Sequence, residues 1–164
     1  MKLFLFKNTL FALSIFAFSA CNSSNVDMVE AEQEANEFIQ NQFNFWVNNS
    51  YDEAKSYFDS NAVLIGTDAG EYLSNWEEIG PSIEQQLEAI QDVKFEQQKL
   101  KVTLSNCGDM AAFTSVTNFK GFSGEEKFSI ENVRSSGVVK KTNGQWKMIQ
   151  IHWSIGREEQ VIEY

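Results

Sequence analysis

The chain has 164 residues with 13 Lys and Arg against 23 Asp and Glu, one His, two Cys and one Pro, for a formal charge of -10. An acidic chain without clustered cations is a poor match for a phosphate backbone, which excludes nucleic-acid binding as its main role. Two cysteines cannot make a disulfide scaffold and no CxxC or HExxH spacing occurs, so no metal site or cofactor is expected.

Residues 1–20 carry Lys2 and Lys7 as their only charges, then the apolar run Leu10 to Phe18, then Ser19 and Ala20. The run is about half of the ~20 residues that span a hydrocarbon core, so it reads as a cleaved secretory signal peptide. Phe18-Ser19-Ala20-Cys21 resembles the bacterial lipobox. That resemblance implies lipidation of Cys21 and a cell-envelope protein, periplasmic or outer-membrane, held to its membrane by acyl chains alone. Residues 21–27 are then the lipidated Cys and a short polar tether. Without residues 1–20, 11 basic residues face 23 acidic ones, and such a domain is repelled by anionic headgroups. Cys107 is read as a buried structural residue, because no His or Lys is its sequence neighbour.

Asp27 followed by Glu30 suggests a capping box. Ala31, Ala35, Phe38, Ile39, Gln42 and Trp46 then recur at helical spacing, which predicts a first helix through about Asn48. A second helix fits Asp52 to Phe58, and Ala62 to Gly66 is short and apolar enough for a strand. A third helix covers Asn75 to Gln91, interrupted by Gly80-Pro81, where it either restarts or bends. From Val93 the period changes to 2, predicting four strands separated by Asn106 to Asp109, Gly121 to Glu125, and Thr142-Asn143-Gly144. Helices followed by an antiparallel meander make an α+β domain with three helices on one face of a curved sheet.

These residues resemble a family. Asp52-Glu53-Ala54, Leu64-Ile65-Gly66-Thr67-Asp68 with Glu71, Gly108-Asp109 with Ala112, Arg134-Ser135-Ser136-Gly137-Val138, and Gly144-Gln145-Trp146 leading to His152-Trp153-Ser154 are similar to a SnoaL-like domain of the nuclear-transport-factor-2-like superfamily. The resemblance implies a cone-shaped barrel of three N-terminal helices on a strongly curved, mostly antiparallel sheet over residues 28–157, followed by a tail, 158–164. It also implies a pocket inside the cone and, often, a homodimer. It implies no particular reaction, because the superfamily mixes isomerases, cyclases, dehydratases and members without activity. The ketosteroid-isomerase set of one Tyr and two pocket Asp has no residue-by-residue counterpart in this chain, and that mechanism is not carried over.

The last hairpin controls the expected site. A two-residue turn at Asn143-Gly144 pairs Thr142 with Gln145 and sets His152 opposite Ser135; a three-residue turn, the preferred reading, sets His152 opposite Arg134. The preferred register collects Arg134, Ser136, Val138, Trp146, Met148, Gln150, His152 and Ser154 on one face. That face is expected inside the cone, with the aliphatic face and Trp153 in a dimer contact; the inverse assignment stays open. His152 is the one histidine and therefore the one imidazole acid or base, with Asp68 as its orienting or proton-sharing partner at the pocket mouth. Each has a structural alternative, His152 as a satisfied side chain and Asp68 as a turn residue. Arg134 is read as a counter-charge to a ligand carboxylate, or to Asp68 or Glu71. Trp46, Tyr57, Phe58 and Trp76 are candidates for an aromatic pocket wall, with plain core as the alternative, and Met148, Gln150 and Ser154 join them as ligand contacts. The leading expectation is an envelope lipoprotein that binds a small, partly apolar molecule in its cone. The alternatives are an isomerase, cyclase or dehydratase using His152 and Asp68, and a dimeric interaction module.

Overall fold

The computed structural model describes residues 26–156. The expected signal peptide, Cys21, most of the tether and the C-terminal tail lie outside the described residues. Helix α1 (Met28–Gln40) runs through a 3-10 turn (Asn41–Phe43) into the single turn α2 (Asn44–Val47). The Asp27 carboxylate accepts from the Val29 and Glu30 amides and so caps α1. Helix α3 (Tyr51–Tyr57) starts one residue earlier than expected because the Ser50 hydroxyl, not Asp52, accepts from the Glu53 amide. Helix α4 (Trp76–Ala89) is one continuous segment with Pro81 inside it, so the helix does not restart there. Gly80 lets α3 approach: a Cβ at that position would lie 2.6 Å from the Tyr51 hydroxyl.

The six strands are β1 (Phe58–Ile65), β2 (Tyr72–Leu73), β3 (Ile90–Leu104), β4 (Met110–Ser123), β5 (Glu126–Thr142) and β6 (Gln145–Ser154), ordered β2-β1-β6-β5-β4-β3. All neighbours are antiparallel except β1 with β6, which run parallel. The sheet curves into a cone but stays open, with β2 and β3 as its edges. This is the expected α+β cone of helices on a strongly curved, mostly antiparallel sheet, with the sheet not closed into a barrel. Curvature comes from bulges, where an extra residue bends its strand and increases twist. Registers shift after Gln91 and Gln97 on β3, between Thr117 and Phe119 on β4, and between Val138 and Val139 on β5. Two of these shifts coincide with left-handed residues, Asp92 (φ 49) and Asn132 (φ 56).

The β5–β6 bulge corrects the expected register. Asn143 (φ 52) and Gly144 (φ 80) form a two-residue turn that pairs Thr142 with Gln145, the arrangement that was not preferred. Val139 then faces Met148 while Val138 faces Gln150, so Ile149 is the extra residue and His152 ends opposite Ser136, a pairing neither reading contained. Because side chains alternate, one inserted residue exchanges the faces beyond it. Trp146 and Met148 before the bulge and Ile151 after it all enter the core, whereas Gln150 is half-buried and His152 exposed. The aliphatic residues Val139 and Ile151, expected on the outward face, are buried in the domain's own core instead.

The core joins Ile39, Phe45, Ile79 and Ile83 of the helices to Val139, Met148 and Ile151 of the sheet. Cys107 is half-buried in the β3–β4 turn rather than buried. No helix among the described residues is long and apolar enough to cross a membrane.

Glu34 ties α1 to the last hairpin, accepting from the Lys141 ammonium and from the Trp146 indole N–H at 3.2 Å. The Lys141 hydrogen bond, helped by Trp146, holds the Glu34 carboxyl below its ordinary value of 4.5. A depressed carboxylate adds stability that is present above the unfolded value and is lost as pH falls through the folded one. Both partners are partly exposed, which limits the effect to about 1 kcal/mol. Glu34→Gln is thus expected to be less stable than the parent at pH 7, by no more than that amount. Chemical denaturation should show the difference shrinking as pH is lowered below 4.5, and a difference independent of pH would refute the assignment.

Candidate functional site

The open mouth of the cone leads to a cavity of about 200 Å³. Its walls come from the α1–α2 junction (Phe43, Trp46), β1 and its exit loop (Leu64, Gly66, Thr67, Glu71), α4 with the start of β3 (Gln86, Ile90, Phe95), and the far halves of β4 to β6 with Ile155. Phe43, Phe95 and Phe119 form a stacked column, with ring centroids 4.4 and 4.6 Å apart and planes within 12°. Trp46 and Trp153, 5.0 Å apart, pack against this column, 6.1 and 6.3 Å from Phe43. Aromatic walls of this kind suit a flat, apolar guest.

The polar groups in the wall are few. Thr117 is buried and engaged with Ser115 at 3.1 Å. Glu71 folds back over Gly66, its carboxylate accepting from the Asp68 amide at 3.1 Å, while its own amide donates to the Asp68 carbonyl at 3.1 Å. A Cβ on Gly66 would fall 2.0 Å from that carboxylate, so glycine here is what lets the Glu71 side chain lie in this position. The indole N–H groups of Trp46 and Trp153 are buried and have no acceptor. Unpaired buried donors are uncommon, and each costs about 1–3 kcal/mol relative to a satisfied one.

Of the residues selected from sequence, Trp46 lines the cavity. Tyr57, Phe58 and Trp76 do not: they belong to an aromatic cluster around Phe45, behind Trp46, with Phe58 6.4 Å from Phe45 and 5.8 Å from Trp76. Burial explains the Tyr57 hydroxyl, which is pushed above its ordinary value by desolvation and then by Glu53. Met148 is core. Arg134, His152 and Ser154 share a depression on the outer face of the sheet, on the same outer-facing set as Gln150. Asp68 is exposed in the β1–β2 loop. The cavity residues that sequence reading missed are chiefly Phe43, Phe95, Phe119, Ile130 and Glu71. Phe95 and Phe119 sit at inward positions of a period-2 pattern, a signal that was present but lay beyond the strand segments selected. Among the described residues, no three His, Cys, Asp or Glu side chains gather as a metal ion would require.

Fold and cavity together define an open α+β cone with an aromatic interior. The chain belongs to the SnoaL-like domain family, which matches it over residues 35–158. Among solved structures it is similar to a nuclear transport factor 2-like superfamily protein from Salmonella enterica Typhimurium (TM-score 0.71, 14% identity, 83% of this chain and 98% of that one). It is also similar to a protein from Novosphingobium aromaticivorans provisionally named as a scytalone dehydratase (TM-score 0.70, 12% identity, 80% and 88%). A third similar structure is an NTF2-like protein of unknown function from Pseudomonas putida (TM-score 0.64, 16% identity, 77% and 87%). At these identities the likeness shows the fold alone. No curated protein matches the chain.

Proposed function

We propose that this domain binds a small, flat, mostly apolar molecule bearing a hydrogen-bond acceptor inside its cone, as an exported lipoprotein held in the cell envelope through Cys21. The observation that carries the reading is the pair of unpaired indole donors, Trp46 and Trp153, in the wall of an otherwise aromatic cavity. A guest that displaces the atoms covering them would bring a carbonyl or ether oxygen to donors that the protein leaves unpaired. The Glu71 carboxylate in the same wall disfavours an anionic guest. The lipobox-like Ser19-Ala20-Cys21 supports the anchor, and mass spectrometry of the protein from envelope fractions tests it by the acyl mass on Cys21.

Binding is tested with 1-indanone, a flat neutral ketone, followed by tryptophan fluorescence. Saturable quenching is expected. Trp153→Phe keeps the ring and removes the N–H, and should weaken binding about 3- to 10-fold, the worth of one hydrogen bond of about 1 kcal/mol. Val133→Phe should abolish binding by filling the cavity. Quenching that never saturates, or that both variants leave unchanged, would sink the proposal.

A further inference from the structure

The outer face of the sheet concentrates positive charge in an acidic protein. Strand register sets two neighbouring rows across it. One row runs Lys101–Thr114–Ser136–His152 and the next Lys99–Val116–Arg134–Ser154. All eight residues line a single depression of about 410 Å³, and no carboxylate lines it. Lys99, Lys101, Arg134 and His152 are exposed, and none of them forms an ion pair among the described residues.

We infer that this depression is a binding site, separate from the cone, for a small molecule carrying an oxyanionic group, phosphate or carboxylate, at each end. The charges lie in two poles. Lys99 and Lys101 occupy β3, while Arg134 and His152 are diagonal neighbours across β5 and β6, where side chains two residues out of register still meet. Two strand intervals separate β3 from β5, about 10 Å at the usual spacing. Between the poles lie the Thr114 and Ser136 hydroxyls and the Val116 side chain, which offer hydrogen bonds and a short apolar contact to the middle of a guest. Arg134 supplies a planar fork for one terminal oxyanion, with the Ser154 hydroxyl directly opposite it in register. The Lys99 and Lys101 ammonium groups receive the other end as point charges. The rest of the molecule is strongly acidic, and an anionic membrane surface must approach far more of that charge than a small dianion held in the depression, which favours the free dianion over a lipid headgroup.

The test uses a series of linear alkane-α,ω-bisphosphonates of increasing length, titrated into the protein and followed by the amide resonances of Thr114, Ser136 and His152. Affinity is expected to peak for chains whose phosphonates lie about 10 Å apart, the β3 to β5 separation, and to exceed that of methylphosphonate at least 5-fold. Arg134→Gln and Lys101→Gln should each weaken the best member about 10-fold. Lys94→Gln, an exposed cation elsewhere on β3, should leave it unchanged, and all three variants should melt with the parent. Affinity independent of chain length, equal losses in the Lys94 variant, or shifts confined to other residues would overturn the site. Binding to phosphatidylglycerol vesicles with none to the free bisphosphonates would overturn the free-ligand assignment. The cone is untouched by these variants, so 1-indanone quenching should persist in them, which separates failure of this site from failure of the cone proposal.

Discussion

Phe45→Ala is expected to lower folding stability by about 3–5 kcal/mol, the cost of a large aromatic removed from a closed core. Phe45 is 1% exposed and its ring lies 4.1 Å from that of Trp46, 6.3 Å from Tyr57 and 6.4 Å from Phe58. It therefore joins α2 to α3 and to the start of β1, and truncation opens a void that three separate elements would have to move to fill. A loss of this size is a large share of the roughly 5–15 kcal/mol that a domain possesses. Urea unfolding should show a lower midpoint with an unchanged slope. Phe45→Leu should recover about half of the loss, since it restores part of the volume but not the aromatic edge contacts. A loss below about 1 kcal/mol for the alanine variant would mean that the site collapses freely and that the aromatic cluster does not hold these elements together.

Gly137→Ala should cost about 1–3 kcal/mol by overpacking, although alanine is ordinarily harmless in a strand. Gly137 sits on the inner face of β5, between Phe113 on β4 and Ile151 on β6. An added Cβ would come within 2.5 Å of the Gln150 carbonyl oxygen and 2.6 Å of the Phe113 ring. The ring can turn aside, but the carbonyl belongs to the strand next to the Ile149 bulge. The double variant Gly137→Ala with Phe113→Leu should therefore recover less than half of the glycine effect, as read from a double-mutant cycle. Full recovery would place the whole conflict at the ring and leave the β5–β6 bulge free to adjust.

The cap of the first helix was legible because it is local chemistry: Asp27 accepts from the Val29 and Glu30 amides, and that requires no knowledge of the rest of the chain. The cap of α3 was misplaced by two residues, on Asp52 instead of Ser50. The last hairpin was half legible: Asn143-Gly144 marks a two-residue turn, yet the preferred reading gave it three. Even the correct turn would have misplaced His152, because the Ile149 bulge lies beyond the turn and shifts the register a second time. The four-residue aromatic wall drawn from helical spacing contained one cavity residue, Trp46. Tyr57, Phe58 and Trp76 have the same apolar character but meet Phe45 and Tyr51, and spacing along one element does not say which neighbour it meets.

What the amino-acid sequence determined by itself was the order and type of the elements, the family, and the alternation that gives each strand an apolar face. These follow from periods of 3.6 and 2 and from turn residues, all of which act over a few positions. Tertiary structure decided which face turns inward along β6, that Glu71 rather than Asp68 reaches the cavity, and that His152 joins Arg134 outside the cone. The physical reason is that a bulge is selected by the curvature of the whole sheet over its helices, and with a side-chain period of two, each inserted residue reverses every assignment that follows it.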